Sequence, residues 1–450
     1  MKTEFVSSAE IFSKKNRPIR YRLFGEAANE AGGVVWMKYF RKKILVISDP
    51  LIAKELYTKH APCLIRSGIS NGLMKSVIGS SVLTVDGDEW LHLRQDINPS
   101  LNDASIDAYI PAIVEIYASH FDKWLERSAS DPVSIYPKDI LHGSYFVKSK
   151  LIFGESFSEE EVIMLADNDT ACLSLLAKIV PSGLNIPSWI PFSVSNSLKK
   201  LNGISARILI KYLDGYLDRS SNGKVSHCIL DSVYNERLAR GRCPLQFGQQ
   251  KQIDLIKTLF YSATATTSMT ILWALRILSS KPQVFEIIKN EIDSLFIDSC
   301  SLLEVFPLMH STRAFVLEVL RIYPSVPSVL KEASCDISSS IGVIPKGSAV
   351  IVSLHGIHMN PLYWADPTEF RLERFELNAS HHETFWTFGG LGSHACPGKT
   401  LALSEVIIVL ALIVRRFSVV FQPSIDLSGN CNSVLLGPTD NQAILLEPRL

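Results

Sequence analysis

The sequence predicts a mainly α chain with a minor β part, and three observations predict it. Most segments between prolines and glycines repeat their apolar residues at helical spacing. Only two stretches, near Val35 to Ser48 and Ser348 to Val352, are rich enough in β-branched and aromatic residues to read as short strands. No internal repeat, low-complexity tract or Pro/Gly/Ser-rich linker divides the 450 residues, so one domain covering 1–450 is expected, with 1–33 as an N-terminal extension.

The helices follow in order. Pro50 opens one through Leu56, because proline fits the first helical turn and its ring pre-sets φ. Others are expected near Asp88 to Asp96, Ala104 to Ser128, Ser195 to Asp218 and Asp254 to Ser279. Three more lie near Pro282 to Leu295, Ser311 to Ile322 and Lys399 to Phe417, and Lys281-Pro282 and Tyr323-Pro324 mark two of the boundaries.

A hydrophobic fraction of 47% against 20% charged residues allows a large buried core. Forty-five basic residues balance forty-five acidic ones, which excludes any global attraction to nucleic acid or to an anionic membrane. The stretch from Met1 through Arg20 is polar and offers no apolar core for a signal peptide. No run of about 18–20 apolar residues exists for a spanning helix. The longest apolar stretch, Val406 to Val414, follows Glu405, is too short to span and reads as a buried helix. The chain as written is therefore expected to carry no transmembrane anchor.

The eight cysteines are Cys63, Cys172, Cys228, Cys243, Cys300, Cys335, Cys396 and Cys431. None forms C-x-x-C and none has zinc-finger spacing, so neither a disulfide framework nor structural zinc is expected, and a reducing compartment fits better. Cys396 differs from the rest. It ends the run Phe388-Gly389-Gly390-Leu391-Gly392-Ser393-His394-Ala395-Cys396, with Pro397-Gly398 and a long apolar helix after it. Glycines permit tight turns and close approach of a flat ligand. A cysteine just before a helix N-terminus meets unpaired N–H groups that favour a thiolate, the form that binds iron. The plainer alternative is a glycine-rich loop around a structural cysteine.

This segment resembles the haem-binding loop of cytochromes P450, F-x-x-G-x-[RH]-x-C-x-G, with Gly392, His394, Cys396 and Gly398 at the matching positions. Phe388 stands one position further from the cysteine than in that pattern, and Gly389 takes the aromatic slot. The resemblance extends to Glu318-Val319-Leu320-Arg321, where i to i+3 spacing puts carboxylate and guanidinium on one helix face. It includes Phe370-Arg371-Leu372-Glu373-Arg374-Phe375, with Arg374 as third member of a buried Glu318–Arg321–Arg374 core. The stretch from His358 to Pro367 also matches the family pattern. Trp90 and Arg94 match its W-x-x-x-R helix, point the same way, and are expected to donate to haem propionates. His394 and Lys331 are further candidates for those contacts.

In Ser262-Ala263-Thr264-Ala265-Thr266-Thr267-Ser268 the hydroxyls are expected to bond back to carbonyls and open the helix locally. The resemblance makes Thr267 the oxygen-handling threonine. Thr266 stands where the family usually has an acid and Thr264 where it has glycine. Water chains with Thr266 and Thr267 would then carry protons.

The resemblance implies a triangular helical prism with small sheets, a haem-binding loop over 388–398, haem b as cofactor and Cys396 as the axial ligand of its iron. It implies a monooxygenase of secondary metabolism that hydroxylates or epoxidises a terpenoid, steroid-like or polyketide-like compound with O2. The alternative is a haem-thiolate isomerase or dehydratase needing no external electrons. Electrons would come from NADPH through a separate flavoprotein reductase, since no G-x-G-x-x-G unit is present. Lys399, Arg415 and Arg416 could form its docking patch. The pocket would be lined by a loop from Ile69 to Val85, by Ile179 to Phe192, by Tyr261 to Ala263 and by Ser325 to Val329. The apolar turn Ile186 to Phe192 is a candidate for peripheral membrane contact, giving a cytoplasmic location or one at the surface of the endoplasmic reticulum.

Overall fold

A computed structural model describes residues 5–6, 10–13, 15–39, 42–126, 132–179, 194–223, 227–242, 248–296, 301–376, 383–431 and 434–449. The apolar turn from Ile186 to Phe192 lies outside these residues, as does most of Ile179 to Phe192.

Helices dominate. The helix Lys399–Arg416 is apolar on every face, with Val406 through Val414 all buried. All-round burial explains why it reads as a continuous apolar run and not as a stripe. Against it and around it lie Asp103–Glu126, Pro137–Phe153, Gln249–Ser280 and His310–Ile322. Trp273 stacks on Tyr323 at 3.9 Å, and its indole N–H donates to Leu436 O at 3.1 Å. Buried Lys148 pairs with Glu405, to which the Tyr117 hydroxyl also donates at 3.2 Å. Each of these polar groups has a compensating partner.

Strands Phe5–Val6, Val34–Tyr39, Lys42–Ile47, Ala349–Ser353, Ser328–Ala333 and Leu64–Arg66 form, in that spatial order, a mixed sheet. Its register sets Val46 beside Ile351 and, at the edge, Arg66 beside Lys331. The expected helices appear with boundaries shifted by a few residues, and the expected strand segments are strands. The helix Arg20–Glu30 tucks Tyr21, Phe24 and Ala28 into the protein.

Three expectations need correction. Ile69 to Val85 is not a loop, since Gly68–Ile78 is helical and ends at Gly79. The helix Gln249–Ser280 is uninterrupted: its hydroxyls do bond back, but a carbonyl has two lone pairs and keeps its helical N–H partner as well. Cys63 and Cys335 form a disulfide across a Cα separation of 5.8 Å. At a sequence separation of 272, a pairing made by the sheet edge leaves no signature in local cysteine spacing. No helix of the described residues is long and apolar enough to cross a membrane.

Candidate active site

The loop that presents Cys396 is built from backbone conformations most residues avoid. Phe388, Gly389 and Gly390 have φ of 53°, 79° and 87°, and Gly392 has 85°. This left-handed run turns the chain back, so that Cys396 N–H donates to Phe388 O at 2.8 Å. Phe388 is one of two non-glycine residues at positive φ among those described, and the insertion noted before the cysteine falls at this turn. A Cβ on Gly390 would lie 2.6 Å from the Trp386 ring. Gly390→Ala is thus expected to cost about 2 kcal/mol, from φ strain and this clash, visible as a lowered Tm of the holoprotein.

Gly398 N–H points at Cys396 Sγ and, with the Arg94 guanidinium, acts to lower the thiol's pKa. Burial outweighs both and raises it, so the helix N-terminus alone does not ionise this sulfur. Yet the side chain is exposed. An exposed sulfur on this loop is open to a ligand.

Beside the loop, donors converge. His394 stacks on Trp90 with ring centroids 4.0 Å apart. Burial, then the Lys331 and Arg66 cations, push the His394 imidazole down to about 4, so it is neutral at pH 7, and its Nδ1 is buried without a partner. Arg94 and Lys331 have neither an ion pair nor a side-chain hydrogen bond among the described residues. Lys331 is buried, which brings its ammonium down to about 8, with Arg66 as the next cause. Lys331, His394, Tyr57, Ala61, Leu64 and Leu391 line a small cavity of about 10 Å³, room for about one water.

Arg66 was not legible as a site residue. It is committed elsewhere: it pairs with Asp86 and donates to the carbonyls of Val82, Leu83 and Val85, at 2.7 Å for Leu83. It thereby fixes the turn that leads into the helix Gly87–Ile97, which carries Trp90 and Arg94.

The buried core is complete. Glu318 receives Arg321 through Nε at 2.7 Å and Nη2 at 2.8 Å, with Arg374 Nε at 3.3 Å. Arg321 also donates to the carbonyls of His358, Pro367 and Glu369 at 3.0, 2.7 and 3.0 Å. His358 Nε2 accepts from Trp386 N–H at 3.0 Å, so its proton is on Nδ1 and is donated to Arg321 O at 2.9 Å. One imidazole thus links the ion cluster to the start of the cysteine loop.

On Gln249–Ser280 the hydroxyls of Thr264, Thr266, Ser268 and Thr270 each donate to the carbonyl four residues earlier, at 2.7–3.1 Å. Thr267, buried between them, makes no such bond. Its hydroxyl proton is uncommitted, whereas Thr266 has spent its own on Ser262 O. Ser262 is exposed and Ala263 and Thr266 are partly so, in the middle of a helix most of whose residues are buried. Ser325 Oγ donates to Thr266 O at 3.0 Å, drawing the segment with exposed Val326 to the same stripe.

Of the three candidates for a basic docking patch, Lys399 and Arg415 are exposed and Arg416 is partly so. Arg416 pairs with Asp122 at 2.7 Å, and Arg415 lies over the Phe296 ring at 4.5 Å. Lys399 alone of the three is left on the surface without such a contact among the described residues.

The arrangement suits a flat ligand that takes a soft ligand from one face and bears carboxylates at its edge. Cys396 Sγ offers the first; among the described residues Trp90, Arg94 and Lys331 leave donors without acceptors, and His394 Nδ1 lacks a partner, for the second. The residues present fit haem.

The family model described as Cytochrome P450 matches residues 9–445. Curated relatives include "Protein LUTEIN DEFICIENT 5, chloroplastic" of Arabidopsis thaliana, 23% identical over 87% of this chain and 68% of that protein. The (+)-piperitol/(+)-sesamin synthase of Sesamum radiatum is 24% identical, covering 88% and 80%. The cytokinin hydroxylase of Arabidopsis thaliana is 24% identical, covering 86% and 77%.

Proposed function

Because the chain belongs to the cytochrome P450 family, and is thus a haem-dependent monooxygenase of the oxidoreductase class, we propose that it inserts one atom of O2 into a lipophilic small molecule. A terpenoid, steroid-like or polyketide-like compound is the class we favour, hydroxylated or epoxidised. The apolar and small residues of the accessible helix stripe and of Ser325 to Val329 support it. The observation that carries the reading is Cys396, exposed on a loop of left-handed residues folded back upon itself.

In this reading haem b, when bound, supplies the activation of dioxygen. Cys396 Sγ holds the iron, with Gly398 N–H donating to the sulfur. Trp90, Arg94, Lys331 and His394 bind and orient the propionates. Phe388 and Gly398 frame the sulfur on either side in the chain. Thr267 Oγ1 holds the proton that the oxygen chemistry consumes, and Thr266 offers acceptor lone pairs to a water chain. Glu318, Arg321 and Arg374 keep the loop in place. Electrons come from a redox partner, as in the family generally; we favour an NADPH-dependent flavoprotein reductase.

Thr267→Ala should separate NADPH oxidation from product formation, with product per NADPH falling roughly 10- to 100-fold. Unchanged coupling would remove Thr267 from the mechanism. Thr266, in the usual place of an acid, favours a second reading: an isomerase or dehydratase without external electrons. Product formed with neither O2 nor NADPH would establish it.

Lys331 gives a pH test. Its pKa of about 8 lies below that of a free lysine because burial disfavours the cation. Only the protonated form attracts a carboxylate, so affinity is retained below about pH 8 and lost above it. Titrating the apoprotein with haemin should give affinity about tenfold weaker at pH 9 than at pH 7. Lys331→Met should abolish that difference. A pH-independent wild type would argue against a propionate contact.

A further inference from the structure

The disulfide between Cys63 and Cys335 closes a weak edge of the mixed sheet. Cys63 immediately precedes the strand Leu64–Arg66, and Cys335 follows Ser328–Ala333 by two residues. Leu64–Arg66 is the outermost strand of that sheet, three residues long, and its one neighbour among the described residues is Ser328–Ala333. So short an edge strand makes few ladder bonds and has no second strand to hold it. At the same end Ser334 N–H and Oγ donate to Cys63 O at 2.8 and 3.1 Å. Hydrogen bonds at a partly exposed edge trade with water at little net cost. The covalent bond does not.

The two segments it joins carry or place the donors assigned above to the haem propionates. Arg66, three residues after Cys63, binds Asp86 and the carbonyls of Val82, Leu83 and Val85. It thereby sets the entry to Gly87–Ile97, the helix of Trp90 and Arg94. Lys331 stands directly across the ladder from Arg66. Ala61 and Leu64, before and after Cys63 in the chain, wall the small cavity that Lys331 and His394 also line. With a sequence separation of 272, the bond also removes much of the freedom that an opened chain would gain. Both cysteines are partly exposed, and thiol–disulfide exchange needs such access to sulfur. Cys172 and Cys228, by contrast, are buried thiols.

We propose that the Cys63–Cys335 bond is a redox switch on haem retention. In the disulfide form the edge strand is stapled to its neighbour and the propionate donors are held together. A dithiol reductant opens it. One thiolate of the reductant attacks a sulfur of the pair, forming a mixed disulfide and releasing the other cysteine as a thiolate that takes up a proton. The second thiolate of the reductant then displaces the remaining cysteine. Two electrons and two protons pass to Cys63 and Cys335, and the reductant leaves as its own disulfide. The reduced protein keeps its fold, but Leu64–Arg66 frays from Ser328–Ala333 and haem is given up faster. The inference rests on the haem reading of the site and adds a control that lies outside the cysteine loop.

The test follows haem transfer from holoprotein to excess apomyoglobin, with and without dithiothreitol. Alkylation with peptide mapping reports the thiols at Cys63 and Cys335, and far-UV circular dichroism reports the fold. Reduction is expected to free both thiols, leave the helical signal unchanged and speed haem transfer about tenfold or more. Reoxidation with diamide should restore the slow rate. The double variant Cys63→Ser, Cys335→Ser should release haem at the fast rate with or without dithiothreitol. A variant that still responds to the reductant would place its action at the iron and overturn the proposal. So would a pair that resists dithiothreitol in the native protein, or equal transfer rates in the two redox forms. Haem lost only together with the helical signal would mark the bond as a plain fold staple and overturn it too. Should the double variant not fold, the diamide step decides: a rate that stays fast after reoxidation sinks the switch. A wild type without a thiolate-type ferrous–CO band marks failure of the haem reading, whereas a normal band with a redox-indifferent rate marks failure of this inference alone.

Discussion

Glu318→Ala is expected to abolish most soluble, haem-loaded protein. The carboxylate is fully buried. It takes two bonds from Arg321, pairs with Arg374, and accepts Arg371 N–H at 2.9 Å. Without it the Arg321 guanidinium, also 0% exposed, would have only carbonyl oxygens for partners. Breaking a buried pair by removing one member costs about 3–5 kcal/mol, a large share of the roughly 5–15 kcal/mol that holds a domain together. Material that does fold should melt about 5–10 °C lower. It should also hold haem poorly, because Arg321 reaches the cysteine loop through His358 and Trp386. Glu318→Gln keeps the shape and one acceptor and should lose about half as much. A variant with wild-type Tm and haem content would refute the structural role given to this cluster.

Cys396→Ala should have the opposite profile, an intact fold without function. The side chain is exposed to a probe, and removing its sulfur leaves the loop's Cys396 N–H to Phe388 O bond in place. The Tm of the apoprotein should therefore change by little, since only one sulfur atom is removed. Turnover should fall about 1,000-fold or more, equivalent to roughly 4 kcal/mol of activation barrier. A marked loss of apoprotein stability with activity retained would recast Cys396 as a structural cysteine in a glycine-rich loop.

How much of this was legible in the sequence depended on whether the signal was local. The helix starting at Pro282 and the end of His310–Ile322 before Pro324 follow from proline stereochemistry. Trp90 with Arg94, and Glu318 with Arg321, lie within about one helical turn, so spacing set each pair on one face and the family resemblance picked them out. The helix Pro137–Phe153, by contrast, buries residues around its whole circumference and shows no stripe to read. Gly68–Ile78 carries two glycines and reads as a loop until its neighbours pack on it. Arg66 opposite Lys331, Cys63 bonded to Cys335, and Asp169 facing Tyr261 are made by tertiary contact across many residues. No motif announces them. The free hydroxyl of Thr267 was legible only as a residue type; that its neighbours are tied to carbonyls emerges from the structure.

Reduce the purified, haem-reconstituted chain, add carbon monoxide, and record its absorption. An intense band at the red-shifted position of sulfur-ligated ferrous haem, absent from Cys396→Ala, is the predicted result. A band at the position of nitrogen-ligated haem, or a chain that takes up no porphyrin, would contradict it.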